Sequence, residues 1–430
     1  MKLKQRIHII LVLIILYNSA VCQDLIYVKK HINILASSDF HGRGYVNRGD
    51  SIAADYISSE MSLLGLKTFN NSYYQYFDMS VNTLPGEMEL KFDGKHLKPG
   101  EDFIVYTPSS HIKGEFPVTV VDNKTKQGKL DKLMKKGLEN KILLIDVRQK
   151  AEKKMDIFDI AKFYNIFKTK AVIYLVDKDT HLSWSVYTGH LLIDFASLEV
   201  QAKEMKKYPK KVELSIENEY IKKYKTQNVI GYIEGSKYPD SFFVFTAHYD
   251  HLGRMGRDTY FPGAHDNASG TAMLLDLASY YTQNTPEYSV VFIAAAAEEA
   301  GLLGSRYFCE NPLFPLEQIK FLINLDMVST GEEGMMVVNG QVFTDEYDLL
   351  VKINEEHKYL PDIKSRPEAA NSDHYHFYLK GVKSFYFYTL GGYSQYHNIY
   401  DISETLPMTA YNDMFRLIVR FIAQLSKNTQ

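Results

Sequence analysis

Residues 289–305 read SVVFIAAAAEEAGLLGS. The run opens on β-branched and aromatic residues and continues through four alanines with no polar interruption, the texture of a strand buried on both faces. Such a strand belongs in a sheet covered by helices on either side, the usual setting of parallel strands. It stops at two adjacent carboxylates, Glu298 and Glu299. Like charges side by side at the end of a buried strand cost free energy unless a cation lies between them or one of them keeps its proton.

Outward from this segment, strand and helix alternate. NVIGYIEG (228–235), SFFVFTAH (241–248), IKFLINLDM (319–327) and KSFYFYTL (383–390) read as further strands. ASGTAMLLDLASYYTQ (268–283), GLLGSRYFCE (301–310) and MTAYNDMFRLIVRFIAQLSK (408–427) read as helices. The pattern predicts an α/β fold with a mostly parallel mixed sheet flanked by helices. Residues 24–69 predict two helical stretches around the Gly-rich turn SDFHGRGYVNRGD (38–50). Between 84 and 222 the texture changes to short β-like runs, FPVTVVD, KILLIDV and AVIYLV, set among Lys-rich segments. That stretch is expected to be a smaller, β-rich domain inserted into a catalytic domain formed by 24–83 and 223–430.

The bulk numbers bound the partners. A chain of 430 residues with 45% hydrophobic content supports one large or two medium globular domains. Its formal net charge of -3 gives no basic footprint for a nucleic-acid partner. At the N-terminus, Lys2, Lys4 and Arg6 precede the apolar run IILVLIILY (9–17) and then NSAVCQ, the order of a secretory signal over residues 1–22. The run is too short for a stable membrane span. Export to the periplasm, cell surface or medium is expected, with a mature chain beginning near Gln23. A lipid anchor on Cys22 is the rival reading, and Val21 fits it poorly. After cleavage only Cys309 remains, so no intrachain disulfide is available.

In parallel sheets, ligands bind beyond the carboxyl ends of the strands. Five segments deliver a carboxylate or imidazole there: His248, Asp250 and His251; His265 and Asp266; Glu298 and Glu299; Asp326; and His397. Singly, each has a structural explanation, Asp266 as a helix cap for instance. Together, at one rim, they point to metal. Imidazole and carboxylate ligands without thiolates suit zinc or a neighbouring first-row ion. The set is too large for one tetrahedral site, and a carboxylate is the natural bridge between two ions. One glutamate of the pair then binds metal while the other faces the attacking water as general base. Asp250, two residues from His248 on an extended segment, is placed to orient its imidazole.

The ordered segments TAHYDH, PGAHDNASGTA, AAAAEEAGLLGS, NLDMV and YHNIYD resemble the co-catalytic di-zinc exopeptidases of the aminopeptidase S, aminopeptidase Y and plasma glutamate carboxypeptidase type. LASSDFHGRG, AADYISSEMSLLGLK and TQNVIGYIEG extend the resemblance across 30–67 and 226–425. It implies two zinc ions per chain, with His248 and Asp326 on one, Glu299 and His397 on the other, and Asp266 bridging. It also implies Glu298 as general base, Asp250 as the residue orienting His248, and Tyr396 as a candidate to stabilise the oxyanion. His265 departs from the family, which usually has an acid there. The insertion resembles a protease-associated domain by position and texture. The expected activity is hydrolysis of N-terminal residues from peptide substrates. A glutaminyl cyclase on the same fold with a single zinc, and a catalytically inactive binding protein, are the alternatives.

Overall fold

The computed structural model describes residues 25–148, 155–189, 192–202 and 207–428. Residues 1–22, expected above to be an export signal, lie outside them together with Cys22. Among the described residues, no helix is long and apolar enough to cross a membrane.

Eight strands form the first sheet, in the order Tyr74–Thr83, Glu219–Ile233, Tyr288–Ala295, Tyr238–His248, Ile319–Leu325, Ser384–Leu390, Gly334–Val338 and Ile363–Arg366. The four central members, from Tyr288–Ala295 to Ser384–Leu390, run parallel. Antiparallel partners flank them on both sides. Every residue of Tyr288–Ala295 is buried. Because successive side chains in a strand face opposite ways, the central strands feed two cores. Phe243, Phe245, Val290 and Phe292 pack with residues of the helices Leu25–Leu35, Gly49–Leu63, Ser269–Gln283 and Tyr411–Asn428. Phe242, Val244, Val291 and Ile293 pack on the other face against Phe308 and Phe377, from the helices Leu303–Glu310 and His374–Leu379.

A second eight-stranded sheet draws its strands from the chain between Met88 and Ile216. Its middle strands Ile112–Asp122, Leu138–Asp146, Thr169–Val176 and Ala196–Gln201 are parallel. The Lys-rich connection after Asp122 becomes the helix Gln127–Lys136, which buries Leu130 on the sheet and leaves its lysines in water. The long antiparallel pair Tyr74–Thr83 and Glu219–Ile233 joins the two sheets, with Thr83 opposite Glu219 at its far end. Leu252, Met255 and Phe261 of the first unit share a core with the second sheet.

Candidate metal centre

The carboxyl ends of the central strands, and the loop after Ser384–Leu390, present acids and histidines. Ala297, Met327 and His397 all adopt positive φ, at 57°, 61° and 54°. Left-handed backbone at non-glycine residues persists only where the surroundings impose it, and here it redirects the chain beside Glu298, Asp326 and the imidazole of His397. The carboxylate of Asp266 stands at the middle. One of its oxygens lies 3.3 Å from His248 Nε2, and the other 3.1 Å from His397 Nε2. His248 Nε2 is also 3.3 Å from Asp326 Oδ1, and His397 Nε2 is 3.2 Å from Glu299 Oε2. His248, Glu298 and Asp326 converge as one potential ion-binding group, and His251, Asp266 and Glu299 as a second.

Asp266 caps no helix. Asn267 does that work: its Oδ1 accepts the N–H groups of Gly270 and Met327 at 2.9 and 3.2 Å. The loop before it is held from two sides. Asp401 accepts the N–H groups of His265 and Asp266 at 2.9 and 3.0 Å. Arg43, fully buried, donates to the carbonyls of Tyr249, Leu35, Pro262 and Gly263 at 2.6 to 2.8 Å and to that of Asp266 at 3.4 Å. Burial pushes the Arg43 guanidinium down to about 10 while the neighbouring Asp266, Asp401, Asp250 and Glu299 hold it up, so it remains a cation at neutral pH.

Asp250 lies behind His248, as its spacing suggested, but its main chain makes the closer contact. His248 Nδ1–H donates to the carbonyl oxygen of Asp250 at 3.1 Å, whereas the nearest carboxylate oxygen is 3.9 Å away. That carboxylate instead accepts the N–H of Glu298 at 3.0 Å and the hydroxyl of Tyr45 at 3.2 Å. Asp250 thereby ties the histidine strand to the glutamate turn. His251 does more than its sequence neighbourhood suggests: its Nδ1 lies 2.7 Å from Glu299 Oε1, which fixes that carboxylate. Ser372 Oγ–H donates to Asp326 Oδ2 at 2.7 Å. Beside it, Asp373 is fully buried with no hydrogen-bond partner for either carboxylate oxygen among the described residues. In the sequence these residues form the run NSDHYHF (371–377), a Ser-Asp-His signal that does not directly follow a strand.

The charge pattern explains the opening glutamates. Burial, together with Asp326, Glu299 and Asp373, raises Glu298 well above the ordinary carboxylate range, against the pull of His248. Burial would raise Glu299 too, but His397 and His251 bring it down to about 2. Burial lowers His397, and Glu299 and Asp266 more than reverse this, lifting it to about 11. Four carboxylates, Asp266, Glu298, Glu299 and Asp326, thus crowd one buried rim with two imidazoles between them. His397 Nε2 is buried and makes no well-aligned hydrogen bond to either neighbouring acid. Imidazole nitrogens and carboxylate oxygens converging in two groups fit divalent cations, and this oxygen and nitrogen set fits zinc or another first-row ion.

A cavity of about 360 Å³ opens over these groups, walled by Thr330, Tyr386, Tyr388, Thr389 and Tyr393. Tyr396 also lines it, its ring stacked on His397 at 3.9 Å between centroids. Among the described residues lining the cavity there is no lysine or arginine.

A parallel-centred sheet carrying such an acid and histidine rim at the carboxyl ends of its strands places a candidate metal site where such folds bind ligands. Residues 228–422 match the model of peptidase family M28. An aminopeptidase of Bacillus subtilis, YwaD, is 33% identical over 164 residues, 37% of this chain and 34% of that protein. A probable zinc metalloprotease of Pyricularia oryzae is 34% identical over 114 residues, 26% of this chain and 23% of its own length. The chain therefore matches about a third or less of the length of these curated relatives. Two solved structures share the fold over nearly the whole chain. BSAP, a zinc aminopeptidase from Bacillus subtilis, has a TM-score of 0.67 at 20% identity, covering 94% of this chain and 95% of that one. The aminopeptidase from Aneurinibacillus sp. strain AM-1 has a TM-score of 0.61 at 19% identity, covering 94% of each.

Proposed function

We propose that this chain is an exported metal-dependent exopeptidase that removes N-terminal residues from peptides, with two zinc ions, or other divalent first-row ions, per chain. The observation that carries the reading is the Asp266 carboxylate, with one oxygen beside His248, which also meets Asp326, and the other beside His397, which also meets Glu299. His248 and Asp326 would hold one ion, His397 and Glu299 the second, and Asp266 both. Two ions so held supply a water of lowered pKa and polarise the scissile carbonyl.

The remaining work falls to the chain itself. Glu298, half-buried, lines the cavity beside the ligands, with its N–H held by the Asp250 carboxylate. It takes the proton of the attacking water and hands it to the nitrogen of the departing amine. Tyr396, on the cavity wall, is the donor for the developing oxyanion. Among the described residues of the lining, a substrate's terminal carboxylate finds no basic side chain to pair with. That supports an aminopeptidase over a carboxypeptidase.

Paired amides test the division of labour. Glu298→Gln keeps the shape and should retain both ions while turnover falls about 100- to 10,000-fold, the usual contribution of a general base. Glu299→Gln should lose one ion, with partial rescue by excess zinc. Both variants are read by metal analysis and by hydrolysis of free-amine against N-blocked peptides. Near-normal turnover of Glu298→Gln with both ions bound would refute the mechanism. For export, N-terminal sequencing should find a mature chain beginning near Gln23; an intact Met1 on exported protein contradicts it.

A further inference from the structure

His397 takes its orientation from the other half of the molecule. Its Nδ1–H donates to the main-chain carbonyl of Trp184 at 3.0 Å, and the Trp184 N–H donates back to the His397 carbonyl at 2.9 Å. Trp184 lies in the connection that follows the strand Thr169–Val176 of the second sheet. With Nδ1 committed to the Trp184 carbonyl, Nε2 is the ring atom left to hold an ion, and it is Nε2 that faces Asp266 and Glu299. The reciprocal bond also holds His397 at its φ of 54°, a conformation that residues with a Cβ keep only where their surroundings impose it.

The residue that provides this carbonyl is firmly seated. The Trp184 indole is 5% exposed, donates its Nε1–H to the Val105 carbonyl at 2.7 Å, and stacks on Phe261 at 4.6 Å. On either side of it the same segment grips the site again. His181 Nε2 lies 3.2 Å from the carbonyl oxygen of Tyr396, and Thr188 Oγ1–H donates to the carbonyl of Ala300 at 3.1 Å. Ala300 directly follows Glu299. One strap, residues 181–188, therefore bridges the turn that carries His397 and the turn that carries the glutamate pair.

We propose that Trp184 is a positioning residue for the metal centre: its carbonyl sets the tautomer and direction of His397, so that the second unit completes a site whose candidate ligands all belong to the first. The inference rests on the two-ion reading above, and it makes the strap and the His397 ion linked equilibria, each favouring the other.

Trp184 is the single tryptophan of the chain, so tryptophan emission reports on the strap alone. Zinc is titrated into chelator-treated full-length protein, with bound metal measured in parallel by equilibrium dialysis. Trp184 emission should change as one of the two ions binds and stay flat for the other. Trp184→Ala removes the indole anchor and should weaken one ion at least tenfold, within the usual range for a lost supporting contact, leaving the other unaltered. Trp184→Phe retains a ring in the slot and should recover most of that loss. Unaltered emission while both ions bind overturns the proposal even if Trp184→Ala fails to fold. So does a Trp184→Ala protein that binds both ions normally, or one that loses both equally. Wild-type protein that binds no zinc refutes the two-ion reading itself, which separates that failure from this one.

Discussion

Replacing Arg43 by lysine keeps the positive charge beneath the acidic rim and changes only the number and direction of its donors. The guanidinium reaches five carbonyl oxygens, those of Leu35, Tyr249, Pro262, Gly263 and Asp266. An ammonium has three donors from a single nitrogen, so at least two of those buried carbonyls lose their partner. Each unsatisfied buried group costs about 1–3 kcal/mol, which places the loss at about 2–6 kcal/mol. The carbonyls affected include those of Gly263 and Asp266, so the bridging loop should loosen with them. Urea unfolding of Arg43→Lys in the presence of chelator reads the stability term. Zinc affinity by chelator competition reads the loop, and should fall roughly tenfold or more by the same reasoning about supporting contacts. If the variant stays within about 0.5 kcal/mol of wild type, beyond which surface-like substitutions rarely move stability, the account of Arg43 as the clamp of this loop is wrong.

Two further perturbations address parts of the fold remote from the chemistry or tightly packed beneath it. Burial lowers His31 from 6.5 to about 4, so the unfolded chain binds a proton between those values that the folded chain does not. Stability contributed by neutral His31 is therefore present above pH 6.5 and lost as pH falls toward 4, by up to about 3 kcal/mol; His31→Gln should flatten this part of the pH–stability curve, and an identical slope in both proteins would contradict it. A Cβ at Gly270 would lie 2.2 Å from the Leu325 carbonyl oxygen and 2.3 Å from Asn267 Oδ1, the group that caps the helix and holds the Asp326 turn. Gly270→Ala should destabilise by about 1–3 kcal/mol through overpacking, measured by thermal unfolding, and an unchanged midpoint would show that the loop can yield.

The rim was legible because strand ends are local features. An unbroken apolar run followed by His248, by Glu298 and Glu299, or by Asp326 declares both a buried strand and the residue that its carboxyl end presents. The partners that hold those residues in place were not legible, since they depend on contacts made far along the chain. Arg43 looked like one charge in a polar turn, and nothing near it in sequence indicates that it reaches the carbonyls of Tyr249 and Pro262. The i to i+2 spacing brought Asp250 behind His248 but could not tell a carbonyl contact from a carboxylate one. His251 stood in the quoted TAHYDH segment, yet its tie to Glu299 appears only once two strands are laid side by side. The helix Gln127–Lys136 was hidden for a different reason: its amphipathic face is narrow, with Leu130 its one fully buried residue, and lysines dominate its composition.

The chain leaves the first sheet at Thr83 and returns at Glu219, two residues paired across the same ladder. Seen from that sheet, everything between them is the turn of one very long hairpin. The entropy of closing such an excursion grows only with the logarithm of its length, about 0.6 kcal/mol for each doubling. Segments can thus be lengthened, trimmed or exchanged within it at small thermodynamic penalty to the sheet that carries the acids. Residues 181–188 are an exception, because they are bonded to the turns around Tyr396, His397 and Ala300. Tolerance to insertion, mapped along the excursion by placing a short flexible peptide at successive positions, should be broad through its outer connections and collapse at that strap.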